Sequence, residues 1–178
     1  MTGTDERTLR RVLAVMRGAV RDRELWHAGD RLLVACSGGL DSTVAAVLLD
    51  RLRPSLGHQL VLGHVDHGLR PDGEADLAGV RALGATLGLA TVQTRLRLRP
   101  GPDLQGRARE ARYAALRDLA DSAECAVVIT AHHADDQAET VLLRLARGAG
   151  ADGLAGIRYR RADRVIRPLL GVTRAELL

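Results

Sequence analysis

The chain has 178 residues, of which 46% are hydrophobic and 27% are charged, a balance typical of one soluble globular domain. All 26 basic residues are arginines, which excludes a Walker-type phosphate-binding loop and Schiff-base chemistry, because both need a lysine. The formal net charge of +4 permits a polyanionic partner without requiring one.

Targeting signals and cysteine frameworks are absent from the sequence. No apolar stretch approaches the roughly 18 residues of a membrane span, and the N-terminus lacks the apolar region of a secretory signal. The expected compartment is therefore the cytoplasm, with no membrane partner. Cys36 and Cys125 are too few for a disulfide framework or a four-cysteine zinc site.

Hydrophobic periodicity and turn residues predict alternating helices and strands. In chain order, the prediction is a helix over 5–25, a strand over 31–36, a helix over 43–52, a strand over 59–67, a helix over 74–89, a strand over 90–98, a helix over 104–123, a strand over 125–131 and a helix over 135–147. The basic segment 157–170 fits a short hairpin or an edge strand, and a helix begins near 173. This alternation predicts an α/β fold, with a doubly wound, mostly parallel sheet and helices on both faces.

The first predicted strand ends in a glycine-rich turn, residues 37–42, that can bind an anion. Its residues are Ser37, Gly38, Gly39, Leu40, Asp41 and Ser42. Two glycines allow a close backbone approach, and the N–H groups at a helix start favour negative charge. A carboxylate such as Asp41 is useful beside phosphates if it holds Mg²⁺. The alternative is a simple strand–helix turn that Asp41 or Ser42 caps.

The turn, together with four further segments in order, resembles the tRNA(Ile)-lysidine synthetase family of PP-loop (N-type) ATP pyrophosphatases. The segments are HVDHGLRPDGEAD at 64–76, QGRAREARYAAL at 105–116, the stretch from TAHHADDQAET onward at 130–157, and RPLLGVTRAEL at 167–177. The resemblance covers nearly the whole chain. It implies a single PP-loop catalytic domain over 1–178, shortened at its C-terminus relative to larger family members.

This resemblance implies a reaction and a set of ligands. ATP, with Mg²⁺, would activate the C2 oxygen of the wobble cytidine in a tRNA(Ile) with the CAU anticodon. Free L-lysine would then attack C2 and release AMP, which gives lysidine. The resemblance is compatible with a homodimer.

The family motifs also assign roles to individual residues. Catalytic roles fall on Asp41, His67, Arg112, His132, Asp136 and Glu139. Contacts with ATP fall on residues 37–42 and on Asp66, Arg70 and Arg109, and the metal falls on Asp41.

Each of these assignments has a structural alternative. Asp66 and His67 could cap a strand, with Arg70 as a solvated loop residue. Arg109 and Arg112 could form a charged outer helix face, and Tyr113 could belong to the core rather than stack on a base. Asp136 and Glu139 have the spacing of a capping box.

Further alternatives concern the basic cluster and the function. The cluster at Arg158, Arg160, Arg161, Arg164 and Arg167 suits either RNA phosphates or a solvated edge. A 2-thiolating tRNA ligase and a non-catalytic nucleotide-binding module remain alternative functions. The first usually needs paired cysteines, and the second leaves most of the motifs unexplained.

Overall fold

The computed structural model describes residues 3–66, 73–96, 101–148 and 155–177, and it confirms the predicted α/β fold. Five strands form one sheet in the order β3-β2-β1-β4-β5, and each neighbouring pair is parallel. The elements are α1 Gly3–Asp22, β1 Arg31–Ala35, α2 Leu40–Leu56, β2 Gln59–Asp66, α3 Gly73–Leu87, β3 Ala90–Arg95, α4 Leu104–Ser122, β4 Val127–Ile129, α5 Ala134–Ala146, β5 Val165–Ile166 and α6 Arg174–Leu177.

Two elements differ from their predicted boundaries for reasons that their hydrogen bonds show. Helix α2 continues past Pro54 and ends where Gly57 takes a left-handed φ of 67° and donates its N–H to the Arg53 carbonyl. Strand β4 is shorter than 125–131, because the N–H of Cys125 instead closes the end of α4 on the Ala120 carbonyl. The segment 157–170 contributes the parallel edge strand β5, and Arg160 also forms an antiparallel bridge with Ile166.

The sheet has a hydrophobic core on each face. Because side chains alternate along a strand, Leu32 and Val34 of β1 face α1 and α2, whereas Leu33 faces α4. Leu116 of α4 packs in this second core. Both faces are covered, which explains why the central strands read as continuous apolar runs.

Strand β1 lies between β2 and β4, and the chain leaves the two neighbouring strands β1 and β4 in opposite directions. Helix α2 leads from β1 to β2, whereas α5 leads from β4 to β5 at the other edge. The starts of α2 and α5 therefore diverge and leave a crevice at the carboxyl ends of β1 and β4. Open α/β sheets bind ligands at such a switch point.

Helix α5 differs from the other long helices in its packing. None of its residues is buried, and Leu142, Leu143 and Leu145 are exposed. Within the described ranges, no helix is both long enough and apolar enough to cross a lipid bilayer.

Two glycines of α3 provide a test of the packing between α3 and β3. A Cβ added at Gly84 would lie 2.5 Å from Thr91 Oγ1 and 3.0 Å from the Leu89 carbonyl oxygen, whereas one at Gly79 would meet no atom within 4 Å. We expect Gly84→Ala to lower the free energy of unfolding by about 1–3 kcal/mol through overpacking. Gly79→Ala, the matched control, should be neutral or stabilising. Urea unfolding measures both, and equal effects would contradict the described contact.

Candidate active site

The glycine turn lies open at the crevice. Residues 37–40 are exposed, and Gly38 has a φ of 84° that a non-glycine residue rarely adopts. The capped-turn alternative is wrong, because Gly39 is the N-cap of α2 and no side chain caps that end. Instead the buried Ser42 hydroxyl braces the turn: it donates to the Gly39 carbonyl at 2.8 Å and accepts from the Ser37 N–H at 3.2 Å.

Asp41 faces two basic side chains across the crevice. Its Oδ1 lies 3.5 Å from Nε of Arg174 in α6, and its Oδ2 lies 3.9 Å from Nε2 of His133. The Arg174 backbone N–H donates to Asp135 at 2.8 Å, which ties α6 to the start of α5. The carboxylate is therefore held by charge, although Oδ1 is buried and accepts no hydrogen bond from a described residue.

A cavity of about 210 Å³, the inner cavity, lies between the glycine turn and α5. It brings together predicted site residues from three separate segments of the sequence. The polar or charged side chains that line it are Ser37, Asp41, Ser42, Arg112, Thr130, His132 and Asp136. Chain segments far apart in sequence thus meet at one point.

His132 is neutral at physiological pH. Burial, followed by the charge of Arg167, lowers the pKa of its imidazole to about 4, although Asp136 opposes the shift. Nδ1 lies 2.9 Å from the Thr130 hydroxyl, which orients the ring. A neutral imidazole in this position can hydrogen-bond a ligand, but it is a weak acceptor for the proton of an ammonium group.

Asp136 and Glu139 lie on the first turns of α5, but they do not form a capping box with each other. Asp136 instead accepts the backbone N–H of His133 at 2.8 Å, so one of its oxygens caps the helix. Glu139 is exposed and makes no ion pair with any residue in the described ranges. Its carboxylate is available to a ligand.

A second, larger cavity of about 620 Å³, the outer cavity, adjoins the first through His132 and Asp136. Two of the three carboxylates of α5, Asp136 and Glu139, line it. Its remaining charged lining residues are the arginines Arg109, Arg144, Arg158, Arg161 and Arg167. This cavity therefore offers both charge signs to one ligand.

The basic cluster after residue 157 divides into two groups. Arg160 donates to the Glu24 and Leu25 carbonyls at 2.6 and 2.9 Å, and Arg164 pairs with Asp121 at 2.5 Å. For these two arginines the structure favours an edge-stabilising role. The other arginines of this cluster, Arg158, Arg161 and Arg167, line the outer cavity.

Outside the glycine turn, three predicted residues remain, of which only Asp66 lies in the described ranges, and it lines neither cavity. Asp66 lies at the end of β2 and pairs with Arg95 at 3.1 Å, which favours its strand-end alternative. His67 and Arg70 lie outside the described residues.

Three functional candidates were not predicted as site residues: His133, Arg174 and Arg167. The HH pair and the TRAEL tail signalled the first two, but only the tertiary structure shows that both face Asp41. Arg167 was grouped with a surface cluster, yet only 3% of it is exposed. Tyr113, also 3% exposed, is a core residue, as its alternative interpretation held.

Neither cysteine is suited to thiol chemistry. Cys36 and Cys125 are each 3% exposed, and burial raises the pKa of the Cys36 thiol to about 12 and also raises that of Cys125. Thiolates are therefore scarce at neutral pH. This disfavours a 2-thiolating enzyme, which handles sulfur on reactive cysteines.

Sequence comparison finds similarity over almost the whole chain. A family model described as a PP-loop domain matches residues 6–178. A tRNA(Ile)-lysidine synthase of Novosphingobium aromaticivorans is 46% identical over 169 residues, which cover 90% of this chain and 51% of the relative. One of Salinispora tropica is 44% identical over 173 residues, covering 92% and 51%. The chain thus spans about half the length of these curated relatives.

Structural comparison finds the same fold in more distant proteins. The U34-tRNA thiolase NcsA from Methanococcus maripaludis, with its 4Fe-4S cluster, superposes with a TM-score of 0.78 at 17% identity, covering 97% of this chain and 62% of that one. A glutamine-dependent NAD+ synthetase from Acinetobacter baumannii, in complex with ADP, gives 0.61 at 11% identity, covering 99% and 32%. At these identities the likeness concerns the fold alone.

The environment of His132 leads to a prediction about pH. Because its folded pKa lies below the ordinary 6.5, its contribution to stability is complete above pH 6.5 and is lost as the pH falls towards 4. NMR titration should give an imidazole pKa of about 4. His132→Asn should remove on the order of 1–3 kcal/mol of the pH dependence of unfolding in this window.

The buried His58 also has a lowered pKa. Because His58 is present in the wild type and in His132→Asn alike, its effect cancels when the pH dependence of their unfolding is compared. An imidazole resonance of His132 that titrates near its ordinary pKa would show that the described burial is wrong.

Proposed function

The chain belongs to the PP-loop domain family, and from that premise we propose that it ligates L-lysine to C2 of the wobble cytidine in a tRNA(Ile) with a CAU anticodon, at the expense of ATP. The observation that carries the proposal is the exposed glycine turn, which faces His132, Asp136 and Arg112 across the inner cavity. Such an arrangement places a phosphate-binding loop beside groups that can act on a second substrate. The similarity to curated lysidine synthases supports the choice of lysine and tRNA(Ile) as substrates in this proposal.

In this proposal the glycine turn binds the β- and γ-phosphates of ATP. The glycines let the phosphates approach the backbone closely, and the N-terminus of α2 directs N–H groups and a positive dipole towards them. Arg112 lines the same cavity and can bind a phosphate through its guanidinium fork. This set of donors stabilises pyrophosphate as a leaving group without any lysine side chain.

A magnesium ion fits the turn through Asp41. Its Oδ1 is buried, accepts no hydrogen bond from a described residue, and lies near the phosphate-binding backbone. The described residues contain no cluster of three or more His, Cys, Asp or Glu side chains that would hold a metal by themselves. Mg²⁺ is often coordinated by one carboxylate together with phosphates and waters, so a single aspartate is a sufficient protein ligand. When bound, the ion would neutralise phosphate charge.

The proposed reaction has two steps. First the C2 oxygen of cytidine attacks the α-phosphorus, the α–β phosphoanhydride bond breaks, and pyrophosphate leaves from the glycine turn. Then the lysine ε-amine attacks C2, the C2–O bond breaks, and AMP leaves with that oxygen. An N–H proton of the amine is released in the second step.

The lysine amine must be neutral to attack, although its ordinary pKa is about 10.4. His132 is a poor proton acceptor because its own pKa is about 4. We therefore assign His132 to hydrogen bonding with the reacting base. Asp136 and Glu139 are assigned to hydrogen bonds that orient the lysine amino groups, and the proton of the attacking amine leaves to water. Partial burial of the amine in the cavity would lower its pKa.

The domain extent and the partners follow the same reasoning. We propose that residues 1–178 form one catalytic domain that acts on free L-lysine and on tRNA. The exposed arginines at the rim of the outer cavity suit RNA phosphates. A homodimer is compatible with this arrangement.

Incorporation of labelled lysine tests the proposal directly. With ATP, Mg²⁺ and a tRNA(Ile) transcript carrying CAU, we expect label in the RNA, with one AMP and one pyrophosphate released per lysine. A transcript with a GAU anticodon is the control, because it lacks the wobble cytidine. Release of ADP instead of AMP would exclude the proposed chemistry.

Glu139 provides a test of how the two steps divide between residues. We expect Glu139→Gln to reduce lysine use by about 10- to 100-fold, since a charged hydrogen bond is lost, while ATP–pyrophosphate exchange with tRNA changes little. Glu110→Gln, an exposed site on α4, is the matched control. Equal losses in both half-reactions would show that Glu139 acts on the fold and not on lysine.

A further inference from the structure

Arg174 lies beside the glycine turn, at the start of α6, and the proposed reaction leaves it without a role. Its Nε lies 3.5 Å from Oδ1 of Asp41, which belongs to the first turn of α2. Arg112, the arginine assigned to phosphate above, lines the inner cavity from α4, whereas Arg174 does not line that cavity. The two guanidinium groups therefore reach the turn from different elements.

The contact between Arg174 and Asp41 is an ion pair without a hydrogen bond. Oδ1 of Asp41 accepts no hydrogen bond from a described residue, and the guanidinium of Arg174 donates none within the same ranges. The Arg174 side chain is 56% exposed, so its N–H donors are open to a ligand. Ion pairs this exposed contribute little to stability. A stronger anion can therefore replace Asp41 as the partner of Arg174.

The backbone that carries this guanidinium is fixed. The N–H of Arg174 donates to Oδ2 of Asp135 at 2.8 Å, and the carbonyl of Val172 accepts the N–H of Ala134 at 2.8 Å. Three residues after Arg174, the side chain of Leu177 is buried in the core. The guanidinium is thus held beside the turn on a fixed base, and rotation of the side chain alone changes its partner.

The β- and γ-phosphates of ATP would be a stronger partner than Asp41. With Mg²⁺ on Asp41, that carboxylate no longer attracts Arg174, whereas the phosphates do. The chain contains no lysine, so arginines are its only permanently charged side-chain cations, and a guanidinium binds phosphate through two parallel N–H donors. Negative charge grows on pyrophosphate as the α–β bond breaks, and a cation placed there in advance stabilises it.

We propose that Arg174 is a phosphate-binding residue, whose guanidinium exchanges Asp41 for the β- and γ-phosphates when ATP enters the crevice. This inference rests on the proposed function and adds to it an arginine on α6 that stays with pyrophosphate as it leaves. Arg174 forms no covalent bond and transfers no proton. It stabilises the charge of the leaving group, and its place beside Asp41 keeps it within reach of the turn.

Isothermal titration calorimetry with inorganic pyrophosphate and with AMP tests this role. With Mg²⁺ present, we expect Arg174→Gln to bind pyrophosphate about 10- to 100-fold more weakly than the wild type, because charge-assisted hydrogen bonds are lost. AMP lacks the β- and γ-phosphates and should bind both proteins alike. Arg174→Lys should give an intermediate affinity for pyrophosphate.

A second background separates direct contact from an effect through Asp41. In Asp41→Asn, with EDTA in place of Mg²⁺, Arg174 has neither a carboxylate nor a metal to act through. Arg174→Gln should still weaken pyrophosphate binding about 10-fold or more in this background. Equal binding there would show that Arg174 acts only by positioning Asp41, which overturns the inference.

Arg11→Gln is the matched control, since it removes an equal charge and the pair between Arg11 and Glu176 of α6 but leaves Arg174 in place. It should bind pyrophosphate like the wild type. Circular dichroism checks that each variant is folded. If Arg174→Gln does not fold, NMR of the wild type decides: the Nε–H resonance of Arg174 should shift on addition of pyrophosphate, and an unchanged resonance overturns the inference.

The remaining outcomes separate this inference from the proposed function. If Arg174→Gln binds pyrophosphate as tightly as the wild type does, the inference is wrong, whereas lysine ligation stands. If pyrophosphate binding weakens as expected but lysine is never transferred to tRNA, the proposed reaction fails and the role of Arg174 stands. If the wild type binds neither ATP nor pyrophosphate, both fail.

Discussion

The site depends on a topological constraint: two neighbouring parallel strands send their helices to opposite edges of the sheet. Because α2 and α5 diverge from β1 and β4, their N-termini lie on either side of one crevice. Both helix dipoles direct positive charge into it. Asp41 and Asp136 lie in the first turns of these helices and offset part of that charge. A polyphosphate in this crevice would meet backbone N–H groups directly and would need a cation to offset the carboxylates.

Charge is distributed unevenly between the elements around the two cavities. Helix α4 and the segment around β5 contribute arginines, whereas the first turns of α5 contribute carboxylates and its later part contributes Arg144. His132 lies between these groups, and its lowered pKa shows that burial and the arginines together outweigh Asp136. A neutral imidazole between the proposed phosphate-binding and amine-binding groups suits the proposed reaction, in which an uncharged base is activated first and attacked second.

The sequence predicted the parts of the site that lie next to each other along the chain. The glycine turn and the DDQAET sequence of α5 each form a local pattern. Because the carboxyl ends of parallel strands lie at one edge of a sheet, both are expected at that edge. Long-range contacts could not be predicted in this way. Arg167 begins the RPLLGVTRAEL segment, but that local pattern does not show that its side chain is buried beside Tyr113, whereas Arg164 pairs with Asp121 at the surface.

The last helix shows how far such long-range effects extend. Leu177 of α6 is buried in the core that α1 and α2 share, and Glu176 pairs with Arg11 of α1. These contacts fix the position of Arg174, whose guanidinium faces Asp41 and whose backbone N–H is held by Asp135. The charge environment of the glycine turn is therefore set by a segment near residue 174. A change that loosens α6 from the core would alter the charge environment of Asp41, because Arg174 would move away from it. The glycine turn itself would keep its conformation.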